Sequence, residues 1–368
     1  MFSLIYMILY PLVCLPEGHL VDNYSTRLGI IIAAFCTILA SGLKVLINHS
    51  IIWCYLGQFM AAIFQPALLN SPGKMSANWF RDDIRTLICT LCVLSDSIGI
   101  FLGFLWNLIF IDENEENSEE YKTQVFNYLL SEFILSFVFC LPCFFIIKNK
   151  PDIPPSPSQV EDSRDSSAPN IQTQNLSLKE NVKMLFTNKR FIYLLISTFF
   201  LVGNYNIIGT LINPLFELYS ISGNNSSIIY FISNTLAMIS SIIISKIVDK
   251  NNKFKLSMIL LCVLSTIFQI LLSIFLELFK PEEKDKNKNS TAEFVIALIF
   301  NSLVTITEMP FYTIGMNYAC EITYPVGESI NGGIMMSASQ IAGIGGTFLC
   351  DYFIANYPEH KWISNLIM

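Results

Sequence analysis

Gly18-His19-Leu20-Val21-Asp22-Asn23-Tyr24-Ser25-Thr26-Arg27 joins two apolar stretches, and Ser245-Lys246-Ile247-Val248-Asp249-Lys250-Asn251-Asn252-Lys253 joins two others. Each passage has a small residue, an Asp four positions on, and a base four or five positions after that. The two Asp are 227 residues apart. A single copy reads as an ordinary charged loop. Two copies read as an internal repeat, and internal repeats are common in membrane transporters. The shared chemistry is a tight helix–loop–helix: the small residue permits close packing, Asp pairs with a helix end or base, and the bases stay at the membrane surface.

Composition agrees with that setting. Of 368 residues, 53% are apolar and 14% charged, against about 25% charged in a typical soluble domain. Mean hydropathy is +0.52. So few charges cannot wet a globule of this size, which excludes a soluble enzyme and a disordered chain. A net charge of −7 repels phosphate, so no nucleic-acid partner is expected. The chain reads as an all-α polytopic membrane protein.

A spanning helix needs ~20 mostly apolar residues. Ten segments qualify: Met1–Leu15, Gly29–Ile47, Ile51–Leu69, Arg85–Ile111, Phe126–Ile147, Phe191–Phe216, Ile228–Val248, Leu256–Phe279, Phe294–Tyr318 and Ser329–Ile354. Runs such as Ile192–Val202 lack the period of two of a membrane barrel. With the Glu17–Leu28 loop placed inside, fifteen of the 22 Lys and Arg fall on the inner side, as the positive-inside rule asks. The polar segment Lys148–Lys189, with Pro151, Pro154, Pro155 and Pro157, cannot bury apolar area and is expected to be flexible. The expected organisation is a five-helix bundle over 1–147, a cytoplasmic linker over 148–189, and a second five-helix bundle over 190–368.

The first passage resembles the cytoplasmic loop motif of the major facilitator superfamily, G-x-L-x-D-x-x-G-x-R. Gly18, Leu20, Asp22 and Arg27 match, and Ser25 replaces the usual Gly. Asp249 and Lys253 mark the second copy. The resemblance implies two pseudo-symmetric six-helix bundles. Ten helices with both ends outside is that plan without its first and last helices.

Further blocks are similar to the feline leukaemia virus subgroup C receptor-related (FLVCR) transporters. They are Gly57-Gln58, Gln65-Pro66, Asn70, Pro72, Lys74, Ala77 and Trp79-Phe80; Gly99 with Gly103-Phe104; Gly203-Asn204-Tyr205 with Thr210-Leu-Ile-Asn213; and Glu321-Ile-Thr-Tyr324-Pro325-x-x-Glu328 with Ser337-Ala-Ser-Gln340-Ile-Ala-Gly343. That family moves choline and ethanolamine, and haem export has also been assigned to it; related branches handle pyridoxine-like vitamins. The resemblance implies a cavity where an aromatic pair holds a quaternary ammonium and a glutamine meets its hydroxyl. Tyr205 falls on one aromatic position and Gln340 on the glutamine. Ser97 stands where the family has a second glutamine, which leaves a different polar head group open. Gly18, Asp22, Arg27, Asp249, Lys253, Glu321, Tyr324, Pro325 and Glu328 are the expected structural and gating residues.

Read from position alone, two carboxylates lie at mid-membrane depth: Asp96, between Ser95 and Ser97, and Glu308, just before Pro310. A carboxylate there costs ~2.5–3.5 kcal/mol on insertion scales and is a functional candidate by default. The roles open to both are cation attraction, proton coupling, or a hydrogen-bonded acid that joins helices. Tyr205 and Gln340 have equally plain alternatives, in packing and in interhelical bonding. Asn213-Pro214 is expected to interrupt its helix.

Cys89-x-x-Cys92 and Cys140-Leu-Pro-Cys143 have ligand-like spacing, but in apolar helices cysteine acts as a small hydrophobe, and no metal site is expected. His19, His49 and His360 sit at helix ends or in loops, so no buried haem ligand is available. No phosphate loop or nucleophilic triad occurs, so the chain is not expected to be an enzyme or to hold a cofactor. The expectation is a monomeric solute carrier, most simply of the plasma membrane, with haem or vitamin cargo, or a non-transporting receptor-like fragment, as rivals.

Overall fold

The computed structural model describes residues 2–81, 84–110, 119–149, 151, 177–217, 221, 223–278 and 291–356. The elements are α1 (Phe2–Asn23), α2 (Thr26–Lys44, extended by a 3-10 turn Val45–Asn48), α3 (Ile51–Leu69), α4 (Ser71–Trp79), α5 (Arg85–Phe110), α6 (Glu119–Ile146), α7 (Leu178–Thr187), α8 (Lys189–Glu217), α9 (Gly223–Asn251), α10 (Phe254–Leu278), α11 (Thr291–Thr323) and α12 (Glu328–Asn356). Among the described residues, eight helices are long and apolar enough to cross a membrane. With α1 and α5, of 22 and 26 residues, the long helices match the ten apolar segments.

Three local expectations change. α1 runs on past Pro16 to Asn23, so the first repeat passage is mostly helix and its turn is Tyr24–Ser25. Glu17 and Asp22 find partners on other helices, and the helix need not stop where its apolar run stops. The second copy has the same form: α9 holds Asp249, and Asn252 makes the turn with φ 51°, its N–H donating to the Val248 carbonyl at 2.8 Å. Asn tolerates this left-handed cap.

α8 is continuous through Pro214 to Glu217. Proline removes a single bond, the one to the Thr210 carbonyl, and the helix continues for less than one further turn. The polar segment, expected to be flexible throughout, holds α7 at its end; residues 152–176 lie outside the described set. Ser177 and Glu180 cap α7 reciprocally: the Ser177 N–H donates to Glu180 Oε2 at 2.8 Å, and the Glu180 N–H to Ser177 Oγ at 3.3 Å. This S-x-x-E capping box is a legible start signal.

The chain divides into two compact units, Met1–Thr187 with Thr323–Ile334, and Asn188–Ile322 with Met335–Met368. In the first, α2 packs on α6 through paired hydroxyls, Ser41 to Ser136 at 2.6 Å, and α5 meets α6 where Trp106 Nε1 donates to Ser131 Oγ at 2.8 Å. In the second, Ala342, Gly346 and Cys350 make a stripe at four-residue steps on α12. It takes Gly203, Ile207 and Leu211 of α8 in turn. Small residues let helix backbones approach where apolar attraction gives no preference over lipid. α10 and α11 join through stacked Phe275 and Phe300, 4.7 Å between centroids.

Candidate functional site

Two groups of polar side chains stand out, one in each unit. The first surrounds the start of α12. The Asp22 carboxylate, in the last turn of α1, accepts from the backbone N–H groups of Ser329 and Ile330, both at 3.1 Å. An anion there satisfies two donors a helix cannot use and meets the positive end of its dipole. Gly18 brings α1 close enough: a Cβ there would lie 3.2 Å from the Ser329 carbonyl oxygen. A Cβ at Gly327 would collide with the Asp22 carboxylate. Lys74 of α4 donates to the Val21 and Asp22 carbonyls at 2.5 and 2.6 Å, a cation at the negative end of α1. Arg85, the first residue of α5, pairs with Glu328. Opposite charges therefore hold the end of α1 and the starts of α5 and α12 at one place.

The second group lies along α8. The Tyr205 hydroxyl donates to Asn234 Oδ1 on α9 at 2.6 Å, and the Asn234 amide donates to the Tyr230 carbonyl at 2.8 Å. One residue on, Asn206 Nδ2 reaches the Ser339 carbonyl on α12 at 3.4 Å. That bond joins the turns of α8 and α12 that carry Tyr205 and Gln340, the chain neighbours of the bonded pair. Both are half-buried, and Gln340 Oε1 has no hydrogen-bond partner among the described residues.

On the other side of Tyr205, Asn204 Nδ2 donates to Glu308 Oε1 on α11 at 2.9 Å. Ser265 of α10 donates to the same oxygen at 3.3 Å. Glu308 is only 2% exposed. Nearby, Pro310 deprives the Ile306 carbonyl of its helical donor, and the Ser240 hydroxyl of α9 lies 3.1 Å from it, shared with the Ala237 carbonyl at 2.8 Å. Asn301 Nδ2 donates to Ser233 at 3.0 Å, tying α9 to α11.

The remaining sequence candidates disperse. Asp96 is exposed and Ser97 half-buried on α5 of the first unit, whereas Tyr205, Gln340 and Glu308 belong to the second. Arg27 is exposed, its N–H donating to Asn149 Oδ1 at 3.1 Å. Ser25, where the family motif has Gly, caps α2 by accepting from the Leu28 N–H at 3.0 Å. Lys253 and Glu321 line an open groove of about 480 Å³ with Phe254 and Tyr318. Tyr324 and Pro325 form an exposed turn between α11 and α12. His360 lies outside the described residues.

Sequence reasoning missed Glu17, whose carboxylate accepts from the Ala67 N–H at 2.9 Å beside Pro66. It also missed Asn204, Ser265 and Asn234. The polar triplet Asn204-Tyr205-Asn206 within an apolar helix was the available signal for the first of these.

The family model described as the Major Facilitator Superfamily matches residues 1–347. An MFS-type transporter of Caenorhabditis elegans is 26% identical over 100% of this chain and 59% of its own length. The choline/ethanolamine transporter flvcr2a of Danio rerio is 24% identical over 94% of this chain and 70% of its own. The choline/ethanolamine transporter FLVCR1 of Felis catus is 22% identical over 93% of this chain and 58% of its own. This chain thus spans well under two thirds of two of these relatives. Among solved structures, the proton:xylose symporter XylE has a TM-score of 0.68 at 12% identity, covering 99% of this chain and 82% of that one. FucP in its outward conformation has 0.65 at 12%, covering 99% and 86%.

Proposed function

The chain belongs to the Major Facilitator Superfamily, and from that membership we propose that it moves a small amine of the choline and ethanolamine kind across a membrane by alternating access. It has the fold of a multi-pass membrane transporter. The observation that supports the amine reading is the Asn206–Ser339 bond, which joins the turns of α8 and α12 that carry Tyr205 and Gln340. An aromatic face over a cation contributes ~0.5–2 kcal/mol, the larger value when water is excluded. The Tyr205 hydroxyl, held by Asn234, fixes the ring. Gln340 Oε1, unpartnered among the described residues, is an acceptor suited to the hydroxyl or ammonium protons of such a solute. Relatives named as choline/ethanolamine transporters support the same class.

Asp96 and Ser97 act in this reading from α5, the carboxylate by attracting the cation and the hydroxyl by meeting a small head group. The Asp22, Lys74, Arg85 and Glu328 group serves as a latch: charge-assisted bonds of ~1.5–3 kcal/mol each are strong enough to hold one conformation and weak enough to exchange. The protein works as a monomer in the plasma membrane.

The test is uptake of labelled choline and ethanolamine into vesicles containing the purified chain. Saturable uptake is expected, with Tyr205→Ala losing it and Tyr205→Phe retaining the ring and most of the transport. No uptake of either amine, with no effect of Tyr205→Ala on binding of either, overturns the reading.

A further inference from the structure

Among the described residues, Glu308 is the most enclosed carboxylate of the second unit, and neither group bonded to it is charged. From α8 it meets Asn204 and from α10 Ser265, both neutral donors to Oε1. From α9 the groups bonded to this part of α11 are Ser233 and Ser240, also neutral. α12 has no titratable side chain between Glu328 and Cys350, and α9 has none between Tyr230 and Lys246. The nearest titratable side chains in sequence on the packed helices are Tyr205 on α8, Cys262 on α10 and Tyr312 one turn along α11. Among the described residues, the carboxylate's hydrogen bonds come from Asn204 and Ser265.

The hydrogen bonding is also lopsided. Glu308 Oε1 takes two donors, while Glu308 Oε2 and Asn204 Oδ1 are both buried without a partner among the described residues. Both are acceptors as long as the acid is ionised, and two acceptors cannot satisfy one another. Yet they belong to groups already joined by one bond. A single proton converts Oε2 into a donor. It lets the acid and the amide exchange two hydrogen bonds, Nδ2–H to Oε1 and Oε2–H to Oδ1. The same proton removes an unpaired buried charge, which is costly in a membrane interior.

We propose that Glu308 is a proton-binding site, its proton held on Oε2 in a reciprocal pair with the Asn204 amide, and that this pair links protonation to solute binding at the adjacent Tyr205. The O–H bond forms with a proton taken from solvent and breaks by returning it there, so the site passes between charges of −1 and 0. Asn204 and Tyr205 are consecutive on α8, so any movement of that turn on loading a solute pulls on the acid–amide pair. The proton site stands on its own geometry; the link to Tyr205 rests on the amine reading above.

Infrared difference spectroscopy of the purified full chain in lipid, titrated from mildly acidic to mildly alkaline buffer, tests the site without transport. A protonated-carboxyl carbonyl band is expected, shifted by deuterium exchange and lost in Glu308→Gln. In Asn204→Leu the band is expected at higher frequency, because the amide partner is gone. This second variant carries the test if Glu308→Gln does not fold. Absence of any protonated-carboxyl band in the parent, a band unchanged in Glu308→Gln, or a band unmoved in Asn204→Leu overturns the proposal. Choline is then added as the probe: a shift of the Glu308 band in the parent and none in Tyr205→Ala establishes the link. No shift in the parent overturns the link. A Glu308-dependent band from a protein that takes up neither amine marks failure of the amine reading alone.

Discussion

Asp22 and Ser329, 307 residues apart in the chain, are joined by a hydrogen bond of 3.1 Å from the Ser329 N–H to the Asp22 carboxylate. The acid that marks the sequence repeat thus serves as an N-terminal cap for a helix at the far end of the chain. Side-chain caps contribute ~0.5–2 kcal/mol, and ionised acceptors lie at the upper end. Asp22→Ala is expected to lower the midpoint of thermal unfolding and to speed proteolysis at the Tyr324–Gly327 turn. Asp22→Asn, which keeps an acceptor oxygen, is expected to lose less. Equal unfolding midpoints for Asp22→Ala and the parent in the same detergent would contradict the capping role.

The α8–α12 seam predicts a contrast between two glycines. A Cβ at Gly203 would stand 2.5 Å from the Ala342 Cβ, whereas a Cβ at Gly345 meets nothing within 4 Å. Overpacking a filled seam costs about 1–3 kcal/mol. Gly203→Ala is therefore expected to destabilise the protein and Gly345→Ala to leave it unchanged, or slightly better through helix propensity. Side-by-side thermal unfolding of the two variants decides this, and the reverse order would place the seam elsewhere.

These features differ in how far the sequence discloses them. The ten long helices were legible because the bilayer imposes a length and a composition on every span. Asp22 was legible because its passage occurs twice. Glu17 was not: its partner is the backbone N–H of Ala67, a group that no residue type advertises. Lys74 likewise binds two carbonyls at the end of α1, groups that every residue carries. The α7 helix was hidden by the Pro- and Ser-rich composition before it, although Ser177 and Glu180 stood at capping-box spacing. Tyr205 and Gln340 were picked by resemblance, while the bonds of Asn204 and Asn206, on either side of Tyr205, needed the three-dimensional register of α8 against α11 and α12.

Pro310 gives a prediction about repair of a broken helical bond. The Ile306 carbonyl shares the Ser240 hydroxyl, at 3.1 Å, with the Ala237 carbonyl at 2.8 Å, in place of the N–H that proline lacks. Interhelical bonds of this kind average ~0.6 kcal/mol in membrane proteins, with an upper value near 1.7. Ser240→Ala is expected to destabilise by that order, and Ser240→Thr, which keeps the hydroxyl, by less. If Pro310→Ala is made first, the helix can supply its own donor, and the cost of Ser240→Ala is expected to shrink. Additive losses in this double-mutant cycle would show that the hydroxyl does not serve the proline site.

The capping box of α7 predicts a pH dependence with a definite sign. Hydrogen bonds from the Ser177 backbone and then its side chain hold the Glu180 carboxyl below the ordinary glutamate range. The unfolded segment has no such bonds, so its Glu180 titrates at the ordinary value and binds a proton more readily. The carboxylate's support for α7 is thus fully present above that range and is lost as pH falls through the lower, folded value. Amide hydrogen exchange over 178–187, corrected for the intrinsic pH effect, is expected to show protection that drops on acidification in the parent. In Glu180→Gln the drop is expected to vanish, while Ser177→Ala lowers protection at every pH by on the order of fivefold, the equivalent of one lost N-cap. Protection that rises on acidification, or that is insensitive to both substitutions, would mean that α7 is held by Asn181 and Leu185, its buried face, and not by its cap.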